Sequence, residues 1–416
     1  YPVFLVLMWL LFQLTFSLGA YPMSWIESGV GALAGVGIDL IPPGLIQELL
    51  VDGIIGGVGS VIVFLPNIMI LFLGIAFLED SGYMARAAFI TDRVMHFMGL
   101  HGKSFIPMLM GFGCSVPAIM ATRTLESRKD RILTTLLIPL MSCSARLPVY
   151  ILFAGIFFPK AAGNVIFIIY LTGIVMAFLV GRLFRQILFR GEVAPFVMEL
   201  PPYRWPTLLG LFIHMWERAK VYLKKMGGVI LVASVILWFL GAFPRHPDFT
   251  VDYDAGIGSL EGIGTVEAKN QIAELETARA SESIEKSYIG RLGHLVEPLV
   301  KPLGFDWRMG VSLLTGFVAK EVVVSSMGVL YQVGEADEES ESLKQALKDP
   351  EHGITPLVAL GFMLFVLLYT PCVAAVVAVR RETGTRWMLF SILYQVLLAW
   401  AVAFMVYQIG GLLGFG

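Results

Sequence analysis

The chain is 416 residues long, 57% hydrophobic and only 15% charged, with a formal net charge of −2. That balance excludes a soluble domain built on one large core and indicates a polytopic membrane protein. The net charge says nothing about nucleic acid, and no basic run with interleaved aromatics appears, so no nucleic-acid partner is expected.

The chain opens on Tyr1-Pro2 inside a hydrophobic run, with no Met and no basic stretch before it. It is a poor signal peptide and reads as a fragment whose N-terminal part has been removed. Apolar segments that could span follow at 1–19, 54–78, 132–158, 164–189, 226–243, 356–379 and 386–410, each near the roughly 17–25 residues that a crossing helix needs. Segments 105–122 and 309–331 are apolar too, but the first is interrupted by Pro107 and by the Gly111–Pro117 cluster, and the second carries Lys320-Glu321 at its centre. Residues 265–286, rich in Glu, Ala and Lys, read as a surface helix.

Lys and Arg set the orientation. Segment 20–52 holds Glu27, Asp39, Glu48 and Asp52 without a basic residue and belongs outside. The runs 123–131 and 182–225 are basic and belong inside, as do 79–104 with Arg86, Arg93 and Lys103. Segment 105–122 must then enter and leave on one side, as a re-entrant hairpin. If the basic loop 380–386 is internal, 309–331 is a second hairpin; if 309–331 spans instead, the last two helices flip. We favour two hairpins. The expected fold is an all-α polytopic membrane protein with about 7–8 spanning helices, one or two hairpins and an inverted repeat. It divides into a first transmembrane half (1–243), a polar extracytoplasmic segment (244–308) and a second transmembrane half (309–416).

The three cysteines each stand where glycine or proline breaks an apolar segment. Cys114 lies in Gly113-Cys114-Ser115-Val116-Pro117, Cys143 in Ser142-Cys143-Ser144-Ala145-Arg146-Leu147-Pro148, and Cys372 in Tyr369-Thr370-Pro371-Cys372. Broken backbone at membrane depth is tolerated only where protein buries it or a cavity hydrates it. A thiol there suits a soft or borderline cation, although a free cysteine also packs as a small hydrophobe. All three lie in apolar segments and read as reduced thiols rather than a disulfide framework.

Arg146 sits midway along its span, where a charge costs at least about 2.5–3.5 kcal/mol on insertion scales. It therefore reads as functional or as half of an internal ion pair. Lys320 and Glu321 point about 100° apart on a helix. The Glu could take a cation, and the Lys could fix the hairpin against carbonyls or a carboxylate, unless both snorkel at an interface. Glu79-Asp80 could form an exit site for a divalent cation or simply be solvated, and Pro66-Asn67 reads as a second interruption of its span.

Other motifs fail. Gly102-Lys103-Ser104 ends like a phosphate loop, but Phe97 stands where the first glycine is required, so the chain offers no nucleotide site. His96 and His101 are five apart, off the shared face that joint ligation needs, and no hydrolase motif occurs. The 19 methionines are scattered.

The two cysteine-bearing stretches from Gly113 to Arg123 and from Ser142 to Tyr150 resemble the first Gate region of FeoB, the bacterial ferrous iron transporter. Glu79–Arg86, Gly304-Phe305-Asp306-Trp307, Gly316–Val323 and Tyr369-Thr370-Pro371-Cys372 extend the resemblance over nearly the whole chain. The family's N-terminal G-protein domain and helical coupling domain are absent from this sequence. The resemblance implies multi-pass Fe²⁺ uptake in the bacterial inner membrane, with GTP bound and hydrolysed only on that other part.

Joined to the reading of the residues, it makes Cys114, Cys143 and Cys372 successive or shared ligands, with Ser115, Ser142 and Ser144 adding oxygens. Glu79, Asp80 and Glu321 flank the route. Arg146, Lys320, Gly113, Pro117 and Pro371 shape or gate the breaks. Its implied partners are membrane lipid and the G-protein domain, with small accessory proteins and a homo-oligomer as further candidates. Two rivals stand beside it: a Gate-type carrier for an organic solute such as a nucleoside, and a membrane signalling module without transport.

Overall fold

A computed structural model describes residues 2–42, 44–63, 65–189, 202–244, 249–260, 266–333, 340–349 and 352–414. Arg190 of the basic run and residues 334–339, 350 and 351 lie outside them. Among the described residues every regular element is helical. Four helical stretches are long and apolar enough to cross a membrane: Arg128–Phe157, Ala162–Ile187, Pro356–Thr383 and Thr385–Leu412. A fifth forms if Leu65–Asp80 and Tyr83–Phe97, which meet at 83°, count as one span. Gly82, at a φ of 77°, makes that bend in the left-handed region open to glycine. The 226–243 span corresponds to Gly227–Ala242, the apolar end of the longer helix Leu208–Ala242.

One expectation needs correction. The N-terminal span does not stop near 19: one helix runs from Pro2 to Leu40, with Pro22 inside it, through much of the supposed outer loop. The acidic character of 20–40 governs its solvation and does not oppose helix formation. Pro66-Asn67 stands at the start of Leu65–Asp80, beside position 64, which lies outside the described residues.

Both expected hairpins are present as helix–break–helix pairs whose arms pack on each other. They are Phe105–Met110 with Ser115–Ala121, and Trp307–Val318 with Val322–Leu330. Asp306 starts the second hairpin by accepting the Met309 N–H at 2.8 Å, an N-cap that satisfies one orphan donor of the first turn. Each hairpin is followed by a broken span: Arg128–Leu137 then Leu147–Phe157, and Pro356–Leu368 then Val373–Thr383. Ser127 and Thr355 cap the two first halves. The second span breaks before Pro371, which disfavours helical backbone at the residue ahead of it.

The chain forms two compact units, each drawing on both halves of the sequence. The first contains the first hairpin, the leading half of the first broken span and the trailing half of the second (Tyr1–Ser144, Tyr170–Val235, Val373–Leu393). Here Ser115–Ala121 and Arg128–Leu137 pack on Val373–Thr383, around fully buried Ala118, Ile119, Leu133 and Leu136. Arg123 Nε donates to both carboxylate oxygens of Glu382 at 2.8 and 2.7 Å. That pair holds the 123–131 and 380–386 loops together, so the positive-inside argument assigns them one side, as two hairpins require.

The second unit mirrors that composition (Ala145–Ile169, Ile236–Cys372, Tyr394–Gly416). Leu147–Phe157 packs on Pro356–Leu368 and on the second hairpin arm Val322–Leu330. Phe153 and Phe305 meet Phe362 at centroid distances of 5.0 and 5.5 Å, within the range of favourable aromatic pairs. The Glu-, Ala- and Lys-rich stretch forms the helix Val266–Lys286, tied to the second hairpin by a Ser281 hydroxyl bond to the Leu330 carbonyl at 3.2 Å.

Candidate functional site

All three cysteines fall outside helices, at 111–114, 141–143 and 369–372, and each is half-buried and outside any disulfide. The helices stop there for local reasons. Gly111 to Gly113 form turns, Pro139 and Pro148 bracket the second break, and Pro371 sits in the third. Lys320 and Glu321 occupy a fourth break, between the arms of the second hairpin.

In the first unit the breaks at Cys114 and Cys143 are joined. Ser144 donates both its N–H (3.2 Å) and its hydroxyl (3.0 Å) to the Gly113 carbonyl. A Cβ on Gly113 would lie 2.1 Å from Leu71 Cδ2, so this glycine permits close approach of Leu65–Asp80. Pro117 is buried in the second arm of the hairpin. Ser142 is buried, while the Ser115 hydroxyl is buried with no hydrogen-bond partner among the described residues. The Asn67 amide oxygen is likewise unpaired.

Glu79 and Asp80 are engaged rather than simply solvated. Arg218 donates to Glu79 at 2.7 Å and His214 lies 3.3 Å from Asp80, one helical turn apart on Leu208–Ala242. Glu79 and Arg218 also line a cavity of about 560 Å³ together with Glu217, Lys103, both hairpin arms and the thioethers of Met84, Met110 and Met120. Sequence reasoning missed His214 and Arg218. The i, i+4 spacing of two bases on one helix was the available signal, since it matches adjacent acids on a neighbouring helix end.

In the second unit two buried cations converge on one break. Lys320, 2% exposed, donates from Nζ to the Thr370 carbonyl at 2.8 Å and stands 3.1 Å from the centroid of the Tyr369 ring. Arg146, fully buried, reaches the Tyr369 carbonyl at 3.5 Å. These carbonyls belong to residues that have left a helix, and in a low-dielectric interior a charged donor is a strong way to satisfy them. Gly316 makes room: a Cβ there would meet Val323 Cγ2 at 2.3 Å and Tyr369 Oη at 3.0 Å. Glu321 is half-buried at the start of Val322–Leu330, and Pro371 is buried beside half-buried Cys372. Among the described residues, no group of three or more His, Cys, Asp or Glu gathers to hold a metal. What each of the three cysteine-bearing breaks offers is a single thiol near hydroxyls and carbonyls in sequence.

Comparison with known families agrees with this architecture. The Gate family model, described as nucleoside recognition, matches residues 61–157 and 223–386, and that for the ferrous iron transport protein B C terminus matches 166–218. The chain is 53% identical to an Fe(2+) transport protein A/Fe(2+) transporter FeoB fusion protein of Porphyromonas gingivalis, over 99% of this chain and 50% of that protein. It is 46% identical to the Fe(2+) transporter FeoB of Campylobacter jejuni, over 99% of this chain and 63% of the relative. For the Helicobacter pylori (strain J99) Fe(2+) transporter FeoB the identity is 38%, over 98% and 64%. The chain thus spans less than two thirds of the length of these relatives. No solved structure matches it significantly. With a Gate match over more than half its length and a FeoB C-terminal match between the two Gate segments, the chain belongs to the Gate family, in its FeoB branch.

Proposed function

We propose that this chain is the permease region of an inner-membrane ferrous iron transporter. In this reading Cys114, Cys143 and Cys372 serve as ligands along the ion's route, and a G-protein domain elsewhere in the full protein controls passage. The observation that carries it is the position of all three thiols, half-buried and unpaired with one another, at helix breaks in a chain whose relatives are named Fe(2+) transporters. Fe²⁺ is borderline in softness, so thiolate, hydroxyl and carboxylate oxygens can share it. Ser115, Ser142 and Ser144 supply the oxygens, and Glu79, Asp80 and Glu321 bias the route toward cations.

A nucleoside carrier would need amide and aromatic side chains grouped to read a base, whereas these breaks carry thiols and hydroxyls. The test is anaerobic Fe²⁺ uptake into proteoliposomes containing the full-length protein. Cys→Ser at all three positions should abolish uptake, and each single change should reduce it. Wild-type uptake in the triple variant would reject the thiol route, and uptake of a labelled nucleoside with none of Fe²⁺ would reject the ion.

A further inference from the structure

Nine buried side-chain polar atoms lack a hydrogen-bond partner among the described residues. Two of them are hydroxyls within two residues of a cysteine: Ser115 Oγ beside Cys114, and Thr370 Oγ1 two residues before Cys372. An unpaired buried hydroxyl is destabilising, because it has given up water and gained nothing in return. Folded chains retain such groups mainly where something other than the chain completes them.

Thr370 is the better-defined of the two. It is 3% exposed and lies in the 369–372 break, and its hydroxyl bonds no carbonyl of the preceding turn, as many helical threonine hydroxyls do. Its own carbonyl is already taken by Lys320 at 2.8 Å, and the Tyr369 carbonyl by Arg146. Two backbone oxygens of this break are thus occupied by fixed positive charge while the adjacent hydroxyl is left open. An oxygen lone pair without a donor, two residues before the Cys372 thiol, is a partner that a small cation can use. Fixed charge on the carbonyls would keep the cation from being trapped by them.

We propose that Thr370 is a further ligand of the transported cation, its hydroxyl acting with the Cys372 thiol as the second break's counterpart of Ser115 and Cys114. The inference rests on the iron-permease reading. Thr370→Val keeps the shape of the side chain and removes only the hydroxyl, so the two roles separate. If the hydroxyl is merely an unpaired group, its removal leaves transport unchanged and holds or raises Tm. If it is a ligand, Tm again holds or rises, but the KM for Fe²⁺ in anaerobic proteoliposome uptake by the full-length protein increases by about tenfold or more. Thr370→Ser restores the hydroxyl and should return KM to near the wild-type value.

Unchanged KM in Thr370→Val overturns the assignment. Should that variant fold poorly, Thr370→Ala against Thr370→Ser decides on the same readout, and equal KM values in that pair overturn it as well. Failure of the permease reading is distinct, because then the wild-type protein itself takes up no Fe²⁺.

Discussion

At the first hairpin the break is closed by neutral groups: one serine gives its amide and hydroxyl to the Gly113 carbonyl, and a glycine lets a neighbouring helix approach. In the second unit the corresponding work falls to Lys320 and Arg146, which sit on the Thr370 and Tyr369 carbonyls. Both solutions satisfy backbone that has left a helix, which hydrocarbon does not forgive. They differ in cost and in rigidity. A neutral bond to a carbonyl can be exchanged for water or for a passing ion at little expense. A buried ammonium cannot leave its partner without another to replace it. The neutral break is therefore the easier one to remodel, and the charged break the fixed reference.

The strongest way to break this contrast is to remove the charge. Lys320→Met leaves a buried carbonyl unpaired, at about 1–3 kcal/mol, and loses a desolvated cation–π contact worth about 2 kcal/mol. Relief of the ammonium's own desolvation offsets part of that sum. We expect a net loss of about 2–4 kcal/mol, read as a fall in the Tm of the purified full-length protein. An unchanged Tm would mean that the ammonium is tolerated rather than required.

The glycines sharpen the same contrast. Ala at Gly316 meets Val323, a fully buried β-branched side chain with a stiff χ1, and the Tyr369 hydroxyl. Ala at Gly113 meets the tip of Leu71, which can swing to another rotamer. Overpacking typically costs about 1–3 kcal/mol. Gly316→Ala should fall at the upper end and Gly113→Ala at the lower. Equal Tm losses would show that the first break is as rigid as the second.

Much of this was legible in the sequence. Glycine and proline mark the positions of the breaks, and Arg146 and Lys320 stand out because charge at membrane depth demands a reason. Lysine acting on carbonyls was among the open options. Which carbonyls it acts on was not legible, since Lys320 and Thr370 are 50 residues apart and Arg146 and Tyr369 are 223 apart. Nor was the exchange by which each unit takes one half of each broken span, because that depends on packing partners rather than on periodicity. Helix Pro2–Leu40 was cut short for a different reason: the apolar run defined the span, and a helix can continue past the end of such a run.

The smallest expected effect tests the neutral lock itself. Ser144→Ala removes the hydroxyl bond to Gly113 but keeps the backbone N–H bond to the same oxygen, so that carbonyl is never left unpaired. The loss should be about 0.5–1.5 kcal/mol, the net worth of one ordinary hydrogen bond. A Tm loss as large as that of Lys320→Met would put the two breaks on equal footing and remove the reason for regarding the first as the mobile one. A small loss in Tm with a large loss in Fe²⁺ uptake would instead assign the hydroxyl to the ion, since a group used only for packing shows itself in stability first.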